Sequence, residues 1–93
     1  MGFEWDPKKE AANLRKHGVA FQDAVGIFDG LHLEQRDDRD YSGEERFVVA
    51  GEVKECVLIV VYAWRSGGSR RIISARKATK AEREEFYRAL HQP

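Results

Sequence analysis

The stretch RRIISARKATKAEREEFYRAL, residues 70–90, holds seven Lys or Arg and three Glu. Arginines gathered on one surface bind phosphate well, because the planar guanidinium fork matches two phosphate oxygens and its charge does not titrate. The competing expectation is a solvated surface, in which arginines flank a turn and keep a sheet edge from pairing with other chains. Which holds depends on whether the cations converge, and so on the elements that carry them.

Three strand-like runs, 45–52, 55–65 and 70–77, follow one another with turn-forming residues between them, the pattern of an antiparallel meander. Between the last two lies RSGGSR. A two-residue Gly67-Gly68 turn, or a four-residue loop, sets Arg65 opposite Arg70, Val61 opposite Ser74 and Ile59 opposite Arg76. Directly paired residues share a face, so one side of the sheet should carry Arg65, Arg70, Ser74 and Arg76 over Val57, Ile59, Val61 and Ala63. The other side carries Leu58, Val60, Tyr62, Trp64 and Ile73, bulkier and suited to lie beneath helices. In the preceding hairpin, GEVKE, a two-residue Val53-Lys54 turn puts Arg46 opposite Val61 on the arginine side. A three-residue loop turns Arg46 to the other side, because a slip of one residue reverses every side chain. The first is favoured, since it aligns Arg46, Val61 and Ser74 in one cross-strand row.

Helices bracket the meander. In DPKKEAANLRKHG, Asp6 is the N-cap, Pro7 takes the first helical position and Gly18 is the stop, with Lys16 and His17 suiting the negative end of the helix dipole. Phe21, Ala24, Val25 and Phe28 recur at helical spacing and predict a second short helix. Thr79 and Glu82 form a capping box that opens a helix to about Leu90. FEW reads as a first edge strand, and LHLEQRDDRDYSGEE as a short strand that dissolves into an acidic loop over 34–45. The expected class is α+β: two N-terminal helices, an antiparallel sheet and a C-terminal helix in one domain over residues 1–93.

Composition narrows the function classes. With 42% apolar and 34% charged residues the chain is globular in balance, and its net charge is zero. The charge is unevenly spread: residues 20–45 carry two Lys/Arg against eight Asp/Glu, whereas residues 65–93 carry eight against three. Such asymmetry suggests an anionic partner for the basic end. The lone Cys56 makes no intrachain disulfide and reads as a small hydrophobe. His17, His32 and His91 lie too far apart for zinc-ligand spacing, and the carboxylates of RDDRD read as solvated, so no metal or other cofactor is expected. The longest apolar run, CVLIVVYAW, has nine residues, too few to span a membrane. The N-terminus lacks the apolar stretch of a signal peptide, and a cytoplasmic location is the expectation.

Three blocks in order, FEWDPKKEAANLRKHGVAF, GEERFVVAG and RRIISARKATKAEREEFY, resemble the BrnT family over nearly the whole chain. The resemblance implies a type II toxin with a RelE-like fold, a metal-independent endoribonuclease that cleaves RNA and arrests growth. It implies a BrnA-like antitoxin in a heterotetrameric complex. The dimeric DNA-binding part of that antitoxin brings the toxin to operator DNA. RelE-like enzymes set basic residues on the sheet face, which favours Arg46, Arg65 and Arg76 here, and an aromatic near the last helix, which favours Tyr87, though at that spacing a tyrosine is more often a core residue.

Metal-free RNA cleavage needs a base for the ribose 2′-hydroxyl, an acid for the leaving oxygen and cations for the pentavalent transition state. His17 titrates nearest neutrality and is the natural proton carrier, though a cation closing its helix is the alternative. Glu45 is a second candidate base, or else the partner that holds Arg46. Lys9 and Arg70 are candidate phosphate contacts, and Lys9 equally fits a solvated helix face. Trp5 and Trp64 read as core residues, with base stacking as the alternative. An antitoxin covering the arginine face would answer it with Asp or Glu. A non-catalytic module that docks an acidic protein or DNA on the same face is the rival reading.

Overall fold

The computed structural model describes residues 2–39 and 42–92. Asp40, the last residue of RDDRD, falls outside that description, as do Met1, Tyr41 and Pro93. Along the chain come β1 (Phe3–Glu4), α1 (Pro7–His17), α2 (Phe21–Ala24), a 3-10 turn (Val25–Asp29), β2 (His32–Asp37), β3 (Arg46–Val53), β4 (Cys56–Trp64), β5 (Arg70–Lys77) and α3 (Lys80–Leu90). The strands form one sheet in the order β1-β5-β4-β3-β2, antiparallel except that β1 runs parallel to β5.

Helix boundaries follow from local chemistry. Asp6 accepts from the Lys8 amide at 2.8 Å, and Gly18 ends α1 at φ 72, donating its amide to Leu14. At α3 the capping box is complete: the Glu82 amide donates to Thr79 Oγ1 at 3.1 Å, and the Thr79 amide donates to Glu82 Oε1 at 2.8 Å. Glu10 reaches from α1 to accept the Phe21 amide at 3.1 Å, fixing the start of α2.

The core lies on one sheet face, beneath α2 and the 3-10 turn. Phe21, Ala24 and Ile27 meet Val49, Val60, Tyr62, Ile72 and Ala75 there, all 0–1% exposed. Gly51 allows the close approach, because a Cβ at that position would sit 2.6 Å from the Cβ of Ile27. We call this the helical face. α1 contributes a single buried residue, Asn13. Its Nδ2 donates to Val19 O (3.0 Å) and Ala75 O (2.8 Å), and its Oδ1 accepts from the Ala75 amide (3.2 Å). β1 pairs with β5 only at Arg70 and Arg71, so farther along β5 the Asn13 amide takes the place of a neighbouring strand at Ala75.

Sequence reasoning set the middle of the β4–β5 hairpin correctly and its end wrongly. Val61 pairs with Ser74 and Ile59 with Arg76. The loop, however, is three residues long, Ser66 to Gly68, closed by the Arg65 amide donating to Ser69 O at 2.8 Å, with Gly67 and Gly68 at φ 89 and 85. An irregularity between Val61 and Tyr62 absorbs the difference: Tyr62 pairs with Ile72, Ala63 with Arg71 and Trp64 with Arg70, leaving Ile73 as the extra residue of a bulge. Arg70 therefore joins Tyr62 and Trp64 on the helical face, and Arg71 takes the place expected of Arg70.

In the β3–β4 hairpin the turn is Lys54-Glu55, two-residue as expected but one position later. Val48, not Arg46, lies opposite Val61, and the offset of a whole pleat leaves Arg46 on its expected side. Cys56 is exposed at the start of β4 beside the Lys54-Glu55 turn, although it shares a face with the buried Leu58 and Val60, so it is not the small core hydrophobe expected.

Candidate active site

The face opposite the core carries Arg46, Arg71, Ser74 and Arg76, and Arg65 reaches the same side to meet Glu4 of β1. Each guanidinium is held by a carboxylate. Arg76 meets Glu82 fork to fork, Nη1–Oε1 at 2.7 Å and Nη2–Oε2 at 2.8 Å. That contact, with the Thr79 amide, lowers the Glu82 carboxyl to about 2 and raises the Arg76 guanidinium further above its ordinary range. Glu44 joins two arginines, with Arg46 Nε at 3.6 Å from its Oε1 and Arg71 Nη2 bonded to the same oxygen. The buried Nε of Arg71 has no hydrogen-bond acceptor among the described residues. Arg65 Nε lies 3.8 Å from Glu4, both side chains about half exposed. The four arginines are thus set against Glu4, Glu44 and Glu82, with Glu52 farther along the same face, so their charge is largely answered.

α3 crosses the same face, tied down at one end by Arg76–Glu82 and farther along by Tyr87, whose hydroxyl donates to Glu52 Oε2 at 2.6 Å. That carboxylate pushes the Tyr87 phenol up. Between α3 and β2–β3 lies a groove of about 480 Å³, lined mainly by Leu33, Val48, Ala50, Ile59, Phe86 and Ala89.

The remaining expected residues are dispersed. Glu45 is exposed and pairs with Arg36 at 3.6 Å, so the carboxylate that holds Arg46 is its neighbour Glu44. His17 is half-buried one turn beyond Asn13, at the outer edge of β5. No hydrogen bond or ion pair joins it to the arginines among the described residues. Lys9 is exposed on α1. Trp64, 45% exposed, is not a core residue, because the strand end that carries it projects past the covering helices. Trp5 packs edge-on against Phe21. No cluster of three or more His, Cys, Asp or Glu suited to a metal occurs among the described residues, and no described helix is long and apolar enough to cross a membrane.

Arg71 and Glu44 were missed for identifiable reasons. Arg71 was hidden by the bulge, and Glu44 by its position outside any strand, where periodicity assigns no face.

The chain is thus a small α+β domain with a meander sheet, the N-terminal helices on one face and paired arginines, crossed by α3, on the other. The model of a family described as "Ribonuclease toxin, BrnT, of type II toxin-antitoxin system" matches residues 5–82. The chain belongs to this family. Its fold is similar to the crystal structure of the Brucella abortus ribonuclease toxin BrnT, with a TM-score of 0.67 at 23% identity, covering 86% of this chain and 99% of that one. No curated protein sequence matches the chain. Membership in a type II toxin family implies an RNA substrate and an antitoxin partner.

Proposed function

We propose that the chain, as one toxin domain over residues 1–93, is a metal-independent endoribonuclease that arrests growth in the cytoplasm. Its partner on this reading is a BrnA-like, dimeric, DNA-binding antitoxin. The two form a heterotetramer that reaches operator DNA through the antitoxin alone.

The observation that carries the reading is the set of arginines on the open sheet face, above all Arg71 with its unanswered Nε beside Arg46. Arg46, Arg65, Arg71 and Arg76 take the scissile phosphate and the charge that builds on it as the ribose 2′-oxygen attacks. Glu44 and Glu82 position these guanidiniums before substrate arrives, which removes a reorganisation cost from the reaction. Protons are moved by His17 from the β5 edge or by Glu45 from the rim. Lys9, Arg70 and Tyr87 contact the substrate farther out.

The test is incubation of antitoxin-free protein with ribosome-free RNA in EDTA, beside an Arg76→Ala protein of matching circular dichroism. Cleavage by the parent alone supports the reading. Equal cleavage by both removes Arg76 from the mechanism, and cleavage that needs added metal defeats the metal-independent step.

A further inference from the structure

Of the five arginines on β3, β5 and the β4–β5 loop, Arg70 alone has no carboxylate partner among the described residues. Its guanidinium carbon lies 4.4 Å from the ring centre of Phe28, 4.5 Å from Trp64 and 5.1 Å from Tyr62. Its buried Nε has no hydrogen-bond acceptor among the described residues. Nearby anions are otherwise engaged: Glu34 accepts from the Tyr62 hydroxyl at 2.5 Å, and Glu4 pairs with Arg65 on the opposite face. Burial and the hydrogen bond to Glu34 push the Tyr62 phenol up, and Arg70, which also reaches its hydroxyl, opposes that rise. Trp64 closes the stack on the outside while leaving 45% of its surface to solvent, and Phe3, packed on Phe28, is 39% exposed.

A cation held among rings keeps a planar orientation and pays little to desolvate, yet its charge here is not cancelled within the protein. An exposed indole beside such a cation suits an unpaired nucleobase, which stacks on the ring while the adjoining phosphate meets the guanidinium. We infer that Trp64 and Arg70 form a second, single-stranded RNA subsite on the helical face, where one base stacks on Trp64 and the adjacent phosphate is held by Arg70. This rests on the proposed ribonuclease reading and extends it. Arg70 and Arg71 are successive residues on opposite faces, so a strand bound at both would pass over the β4–β5 loop, with the arginines on the other side holding the scissile phosphate. Unlike the paired cations there, Arg70 has no carboxylate among the described residues to release before a phosphate binds.

The chain has two tryptophans, so a Trp5→Phe protein reports Trp64 alone. It is titrated with a short 2′-O-methyl oligoribonucleotide, which cannot be cleaved through the 2′-oxygen, while anisotropy of a label on the oligonucleotide records total binding. The expected result is saturable quenching of Trp64. Trp64→Leu and Arg70→Gln should each weaken binding by about 10-fold, whereas Arg88→Gln, on the exposed part of α3, should leave it unchanged. Circular dichroism and thermal melting confirm that the Arg70→Gln protein is folded, and Arg70→Lys repeats the comparison with the charge kept. Binding by anisotropy without quenching overturns the subsite and leaves the ribonuclease reading intact. Quenching by a polyglutamate peptide but not by the oligonucleotide overturns it in favour of a protein partner. Neither binding nor cleavage of RNA defeats both.

Discussion

The guanidinium of Arg76 and the carboxylate of Glu82 are paired through two hydrogen bonds, and the same carboxylate closes the N-terminus of α3 through Thr79. One side chain thus fixes a candidate phosphate-binding cation and starts the helix that crosses the sheet. Its carboxyl is held at about 2, against an ordinary value of 4.5. Because the folded value is the lower one, the stabilisation is fully present above about pH 4.5 and is lost as pH falls from there toward 2. Both side chains are more than a third exposed, so solvent limits the effect to about 1 kcal/mol. Urea unfolding from about pH 6 down to about pH 2 should show that loss in the parent and a flatter profile in Glu82→Gln.

Arg71→Ala separates the site as found from the site as expected from sequence. The guanidinium makes one bond to Glu44 and packs among half-exposed neighbours, so its removal should cost little stability. If it stabilises the transition-state charge, RNA cleavage should fall about 100-fold while the melting temperature shifts by only a few degrees. A variant that cleaves RNA at the parent's rate would assign Arg71 to structure alone.

Asn13→Ala leaves Val19 O and both backbone groups of Ala75 without their partner in a buried setting. Each unsatisfied group costs on the order of 1 kcal/mol or more, so the loss should reach about 3 kcal/mol by urea denaturation. Asn13→Asp should be nearly as costly, because a carboxylate cannot donate to the two carbonyls.

The Lys54-Glu55 turn holds two non-glycine residues at φ 51 and 66. That backbone is the one in which Asn-Gly is favoured. A Lys54→Asn, Glu55→Gly double variant should gain about 1 kcal/mol in unfolding free energy with RNA cleavage unchanged, since the turn lies at the opposite end of β3 from Arg46.

Much of the fold was legible because its signals are local. Asp6, Gly18, Thr79 and Glu82 act on backbone groups within a few residues, and each marks the boundary it was expected to mark. The arginine face was legible in part. Alternation along β3 and β5 placed Arg46, Ser74 and Arg76 correctly, but the side occupied by Arg70 and Arg71 depends on one bulged residue, Ile73. A three-residue loop and a bulge cancel each other's effect on the middle of the hairpin, so a register argued from the turn alone is right at Val61 and wrong at Trp64. Carboxylates such as Glu44 bridge residues far apart in the chain, and no periodicity reveals that.

The amide of Asn13 at Ala75 bears on how the protein behaves among copies of itself. β1 is too short to shield all of β5, and an uncovered strand margin invites any extended chain to add to the sheet. Here a helix side chain occupies the position where such an addition would begin. Loss of α1, by proteolysis ahead of Val19 for example, would open this margin of β5 to such an addition. The N-terminal helix therefore contributes to solubility as well as to the fold.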